Sequence, residues 1–400
     1  MSWDYKTLDK LGKAARGKSK HRPRNDKKLF GGVYPFIQTA DVKKANFYIS
    51  EYSETYNEIG LAQSKLWDTG TLCITIAANI ADTGILSIPA CFPDSIIGFI
   101  PYDGISDVRF IKYCFDILQR KCKQISQGTA QDNLSWEKLL TIKFPVPPLK
   151  IQCRIADILF RYDSLIENYQ KQIKLLEEAA QRLYKEWFVD LRFPGYENTK
   201  IVDGVAEGWE KKQIKDICSL ITSGGTPSRN NKSFWNNGNI KWVKTKELND
   251  TWIIDTEEHI TETGLNSSSA KIFPPNTLLM AIYASPTLGR LGILGYEACC
   301  NQAALGLIPN EFVSWQWLFY KLYELRDKFN SIARGAGQQN ISAIVVKNME
   351  IVVPEKKLID KYTSFVTEIF NRQRTIICEI KLLTEARDRL LPKLMKGELL

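Results

Sequence analysis

The chain has 400 residues, of which 44% are hydrophobic and 25% charged, with a net charge of +9; that length provides room for two or three globular units of about 100–200 residues. Nine cysteines that form no CxxC pair, and only two histidines, His21 and His259, argue against a zinc site and for reduced thiols used as small hydrophobes. The most apolar stretch, Thr71 to Phe92, is interrupted by Asn79, Asp82, Gly84 and Pro89, and the start MSWDYKTLDK has no apolar signal core, so a soluble, cytoplasmic protein is expected.

The first predicted element is basic. Between Lys6 and Lys28 lie Lys10, Lys13, Arg16, Lys18, Lys20, Arg22, Arg24 and Lys27 against Asp9 and Asp26, and Gly12, Gly17 and Pro23 break any helix. The run reads as a loop able to follow a phosphate backbone, with Lys18, Lys20, Arg22 and Arg24 as candidate DNA contacts. Within it GKAARGKS, Gly12 to Ser19, satisfies the pattern of a phosphate-cradling loop. That loop needs a buried strand directly before it and a helix directly after. MSWDYKTLDKL and HRPRNDKK supply neither, and nucleotide hydrolysis through Gly17, Lys18 and Ser19 is the lesser reading.

Short strands such as Leu72 to Ala77 and a helix from Val108 to Lys123 follow, then the polar turn GTAQDNLS, in which Gln131 and Asn133 are candidate base or phosphate contacts. The same residues suit plain capping of the next turn. A proline-marked strand end, Lys143 to Pro148, closes a domain over 1–148 and leads into a long helix over 149–192. Apolar positions at spacings of three and four, including Ile155, Tyr162, Tyr169, Ile173, Leu176 and Leu183, form a heptad seam with one stutter near Tyr169.

A polar linker over 193–207 precedes a second domain over 208–355. It carries the glycine loop TSGGTPS, with Thr226 and Arg229, then Lys241, Lys244 and Lys246 around Trp242. A strand from Leu278 to Tyr283, a helix from Val313 to Phe329 and a second polar turn, GAGQQNIS with Gln338, Gln339 and Asn340, come next. A second long helix over 356–397 has its seam at Tyr362, Ile369, Ile376, Ile380, Leu383 and Leu390, with Arg372 and Arg387 as polar intrusions.

The order of elements is the same in both halves, and so is part of the sequence. GTAQDNLS answers GAGQQNIS, and IKLLEEAAQRL at Ile173 answers IKLLTEARDRL at Ile380, both at an offset of 207. Fainter matches at 206 to 208 run through the earlier parts, where GVYPFIQTADV from Gly32 answers GNIKWVKTKEL from Gly238. So long a period is a duplicated domain and not a solenoid repeat. Two narrow-striped helices of about 35–40 residues, roughly 55–60 Å each, need partners, and a compact domain between them favours an antiparallel pair. The expected fold is two α/β domains, each followed by a long helix, the helices pairing as an antiparallel coiled coil. No amino-methyltransferase, dinucleotide, zinc-protease or hydrolase motif is present, so a non-catalytic chain is expected.

With G-x-x-Q-x-N-[IL]-S before a proline-ended strand, paired long helices, the domain start at Gly208 running to GGTPS, and the closing LPKLMKGEL at Leu391, the chain resembles the DNA specificity subunits of type I restriction-modification systems. The resemblance implies two target recognition domains reading the halves of a split, asymmetric site, held apart by the coiled coil. It also implies two methyltransferase and two restriction subunits as partners, which bring S-adenosylmethionine, ATP and magnesium; none of these is expected in this chain. Arg372 and Arg387 depart from the pattern, as does the step from Cys91–Ser95 to Cys299-Cys300-Asn301-Gln302. The alternative is a free-standing duplicated DNA-binding scaffold.

Overall fold

The structure, a computed structural model, describes residues 3–76, 81–125, 136–283, 287–335 and 340–399. It forms two compact units, residues 1–168 with 381–400 and residues 169–380. These units cut the long helices, whereas the sequence boundaries fall at the helix ends.

In the first unit a five-stranded sheet runs in the order Gly12–Arg16, Ile96–Pro101, Leu72–Thr75, Thr83–Leu86, Tyr48–Ile49. Leu72–Thr75 and Thr83–Leu86 are buried at every position, as continuous apolar runs covered on both faces must be. The helix Val108–Ile125 buries Phe110, Ile111 and Tyr113 in the core beside Leu72 and Ile97. Its start is capped by Asp107, whose Oδ1 accepts from the amides of Arg109 and Phe110 at 2.8 and 3.1 Å. A smaller sheet has the strand order Glu54–Tyr56, Phe30–Phe36, Ala90–Cys91, Leu66–Trp67.

The second unit repeats the five-stranded sheet strand for strand, while its smaller sheet has three strands, Glu258–Ile260, Ile240–Val243 and Cys299–Cys300. Its five-stranded sheet is ordered Cys218–Ser223, Ala304–Pro309, Leu278–Ala281, Leu291–Leu294, Thr251–Ile253. In both sheets only the last pairing is parallel, and in both smaller sheets the strand before the glycine-flanked core pairs in parallel with a two-residue strand, Phe36 with Cys91 and Trp242–Val243 with Cys299–Cys300. The faint offsets of the diverged regions therefore carry one fold twice.

The long helices span Leu149–Tyr184, continued by a wide turn over Lys185–Val189, and Lys356–Leu394. They pair antiparallel. In the second unit the Tyr362 hydroxyl donates to the Ala180 carbonyl at 3.5 Å, while Tyr169 bonds Glu379. In the first unit Arg387 meets Asp163, and Leu391, Leu394 and Met395 share a core with Ile155, Ala156 and Leu159. The second helix stops at Gly397, φ 75°, where Glu398 N donates to Lys393 O and Gly397 N to Leu394 O. That pair of bonds is a Schellman cap, which favours glycine at the left-handed position.

Three sequence readings shift. Gly12–Arg16 is a strand paired with Ile97–Pro101, so the basic loop shortens to residues 17–26 and no phosphate-cradling loop forms there. The buried stripe of the second helix is Ile359, Tyr362, Val366, Phe370, Gln373 and Ile376, and Ile369, Ile380, Leu383 and Leu390 lie half-buried on its flank. On the first helix Ile155 is buried, while Tyr162, Tyr169, Ile173, Leu176 and Leu183 are half-buried; Leu159, Asp163, Ile166, Ala180 and Tyr184 lie deepest. A helix packed against both a partner helix and a domain, as Ala180 and Tyr184 are against the second domain, buries a wider arc than a bare two-helix seam. The linker 193–207 folds a small hairpin, Ile201–Val202 with Val205–Ala206, around Asp203 and Gly204 at φ 52° and 76°.

Candidate nucleic-acid interface

Both basic loops leave the edge strand of their five-stranded sheet through a glycine held in the same way. Gly17 N donates to Ile96 O at 2.8 Å and Lys18 N to Phe92 O at 3.1 Å; Gly224 N donates to Ala304 O at 3.1 Å and Gly225 N to Cys300 O at 2.9 Å. A Cβ on Gly17 would stand 2.3 Å from Phe92 O, and one on Gly224 would stand 2.0 Å from Cys300 O. Only glycine lets the strand turn out at this point. The bonds also make Phe92 and Cys300 equivalent, so the segments Cys91–Ser95 and Cys299–Gln302, unlike in sequence, occupy one structural position.

In the second domain the loop is built on two indoles. Trp242, 2% exposed, donates from Nε1 to Gly225 O at 2.9 Å, and Trp235 stands against it edge-on at 5.0 Å. The Arg229 guanidinium lies 3.7 Å over Trp235 and binds Glu258 with both ends of its fork, at 3.2 and 2.8 Å. Lys244 meets Glu257 at 2.9 Å and Glu258 at 3.5 Å, and Lys246 meets Glu257 at 2.6 Å. Glu247 clamps the arrangement by accepting from the amides of Lys244 and Glu257 at 2.8 and 2.9 Å. These contacts hold Glu257 below the usual carboxylate range, chiefly through Lys246 and Lys244, and Glu258 likewise through Arg229; Lys244 is raised by its bond to Glu257. Lys241 stands apart, 5.2 Å over the Tyr296 ring, and Thr226 bonds Gln302.

The first domain builds the root of its loop on Phe92, on which the buried Trp67 indole stacks at 4.9 Å. Lys18 and Lys20 are exposed. Arg22 donates back to the Ser19 and His21 carbonyls at 2.6 and 2.9 Å, and Arg24 grips Asp94 at 2.7 and 2.8 Å. A cleft of about 650 Å³ opens beside Arg24 and Lys27, floored by Phe30 and Phe36 and edged by Gln38 and Glu54. Lys65, which sequence reading passed over, lies 3.4 Å over Trp67; burial and then the nearby charges of Lys13 and Lys18 lower its pKa. Nothing in its local sequence marks it, because its neighbours come from the edge strand and the basic loop.

Of the polar-turn candidates, Gln131, Asn133, Gln338 and Gln339 lie outside the described residues, and Asn340 is exposed. The capping reading is met by the neighbour of Asn340, since Ser342 Oγ accepts from Val345 N at 3.3 Å and starts the helix Ala343–Lys347. Among the described residues no group of three potential metal ligands comes together, and no helix is long and apolar enough to cross a membrane.

Comparison with known proteins places this geometry. Across 411 aligned residues the chain is 26% identical to the MjaIX type I restriction enzyme specificity subunit of Methanocaldococcus jannaschii, covering 99% of this chain and 93% of that one. It is 24% identical over 329 residues to the HindI specificity subunit of Haemophilus influenzae, covering 66% and 71%. The crystal structure of a type I restriction-modification S subunit from M. genitalium superposes with a TM-score of 0.61 at 15% identity, over 98% of this chain and 96% of that one, a likeness of fold. The type I restriction modification DNA specificity domain matches twice, over residues 1–178 and 206–381, in step with the duplication. The chain thus belongs to the type I restriction-modification specificity subunits, the non-catalytic DNA-recognition members of those systems.

Proposed function

We propose that this chain reads a split, asymmetric duplex DNA site, one half with each domain, and docks two methyltransferase and two restriction subunits along its helix pair. The observation that carries the reading is one sheet topology built twice around unlike loops: an Arg229–Trp235–Trp242 platform in one domain, and an Asp94-tethered arginine loop beside an open cleft in the other. Equal scaffolds suit equal partner subunits placed with pseudo-two-fold symmetry, and unlike loops suit unlike half-sites. Lys18, Lys20, Arg22, Arg24, Arg229, Lys241, Lys244 and Lys246 would supply mainly phosphate contacts, which position a protein on DNA without reading its sequence. Half-sites read from one face of B-DNA lie about 34–36 Å apart, one turn, and the helix pair would set that interval. Adenine methylation, with S-adenosylmethionine, and ATP- and magnesium-dependent cleavage would belong to the partners.

Co-expression with the neighbouring methyltransferase, followed by mapping of methylated adenines in host DNA, tests the reading. One split motif of fixed spacer, lost when this chain is left out, is the expected result. No complex and no chain-dependent methylation would leave the free-standing scaffold as the better account.

A further inference from the structure

The basic residues that sequence reading offers to DNA are mostly occupied in this structure. Arg24 lies on Asp94, Arg22 within 3.9 Å of the same carboxylate, Arg229 on Glu258, and Lys244 and Lys246 on Glu257. Exposed ion pairs of this kind contribute little to folding. Nor are they an inheritance of the duplication. The position equivalent to Asp94 in the second domain, two residues beyond the matched Phe92 and Cys300, is the neutral Gln302, and the second domain draws its acids from the turn and strand around Glu258–Ile260. Two domains thus reach one arrangement from different elements.

We propose that Asp94 in the first domain, and Glu257 with Glu258 in the second, are specificity-determining counterions: they mask part of the charge of the basic loops until a cognate half-site displaces them. The proposal rests on the DNA-reading function. Non-specific binding comes almost entirely from phosphate contacts that release counterions. A loop whose cations already have built-in partners releases fewer, and its carboxylates stay near the phosphates as repelling charges. A cognate half-site adds base contacts that offset the exchange, whereas random sequence does not. The masks therefore lower background binding more than specific binding. Glu247, bonded to the backbone at Lys244 and Glu257, keeps the acids in place.

The test compares the full chain, with its co-purified methyltransferase, against E257Q/E258Q and D94N variants, with E197Q/E207Q as a charge-matched control in the linker. Binding to a 40-base-pair duplex of mixed sequence is followed by fluorescence anisotropy over a range of sodium chloride concentrations. Freeing up to three cations should make E257Q/E258Q bind about tenfold tighter near physiological salt and steepen the log–log salt slope by roughly 0.9 per new phosphate contact. D94N should shift the same way by less, and the linker control should not move. Wild-type binding with unchanged affinity and slope in both mask variants overturns the proposal and leaves the DNA reading intact. An equal shift in the linker control also overturns it, since net charge alone would then account for the effect. Absence of binding by every form at low salt overturns the DNA reading of these loops and the masks with it.

Discussion

Arg387 and Asp163, 224 residues apart, form an ion pair at 2.5 Å in the first unit, and the other oxygen of Asp163 accepts the Tyr113 hydroxyl, also at 2.5 Å. Burial works against the Arg387 charge, but Asp163, and after it Asp388, outweigh burial and hold its pKa above the usual value. Arg387, which reads in sequence as a flaw in an apolar seam, is thus one of three groups that join the C-terminal helix, the first long helix and the helix Val108–Ile125. Removing the shared acceptor strands the buried Tyr113 hydroxyl and leaves the partly buried guanidinium with its neighbour Asp388 alone. Asp163→Ala should cost about 2–4 kcal/mol, and Tyr113→Phe about 1 kcal/mol. Urea unfolding checks the order, and a loss for Asp163→Ala no larger than for Tyr113→Phe would sink this account.

The glycines at the roots of the two basic loops should be intolerant. Gly224→Ala places a methyl 2.0 Å from the Cys300 carbonyl, and Gly17→Ala one 2.3 Å from that of Phe92. Backbone on the far side cannot swing away as a flexible side chain would. Each change should cost about 1–3 kcal/mol, as overpacking does, whereas Gly70→Ala, at φ 87° with open space around its missing Cβ, should act through backbone strain alone. Thermal melts of the three variants, with Gly17 and Gly224 no worse than neutral, would contradict the close approach.

Arg229 lies 3.7 Å over the Trp235 ring and grips Glu258 with a planar fork, a geometry that an ammonium cannot copy. With Glu258 masking Arg229 on random DNA, Arg229→Ala should leave the fold intact, weaken binding to a cognate half-site more than to mixed sequence, and flatten the cognate salt slope by about 0.9. Equal weakening on cognate and mixed sequence would show Arg229 to be unmasked on both.

Glu177 on the first long helix is raised in pKa by burial first and by the charges of Asp250 and Glu178 after it. A carboxyl raised in the folded state binds its proton more tightly there than in the unfolded chain, whose ordinary value is about 4.3. Stability is therefore unpenalised below that ordinary value and falls as pH rises through the raised one. Glu177→Gln should melt higher than wild type at pH 7 and close to it near pH 4. An equal gap at both values would refute the assignment.

The acids Glu257 and Glu258 have the opposite sign. Their pKa values are lowered, so the small stabilisation from their ion pairs is present above the ordinary glutamate value and is lost as pH falls through the lowered one. Acid titration of the second domain should show it as a salt-sensitive loss, and insensitivity to salt would point away from these exposed pairs.

Sequence by itself determined the duplication, the two long helices and the central strands. Those features rest on local periodicity: runs such as LCIT and LLMA, wholly buried, and apolar residues spaced three and four apart from Ile155 onward. It also brought Arg229, Lys244 and Lys246 forward as one basic group, because they lie on one short stretch of loop and strand. Only the tertiary structure decided which acids answer them. Arg24 meets Asp94 across 70 residues and Arg229 meets Glu258 across 29, and charge patterning along a chain carries no record of such separations. The same holds for the helix faces. Two helices and a domain together bury a wider arc than a heptad describes, so Tyr184, Gln373 and the Asp163–Arg387 pair fall inside it while Leu165 and Phe365 stay exposed.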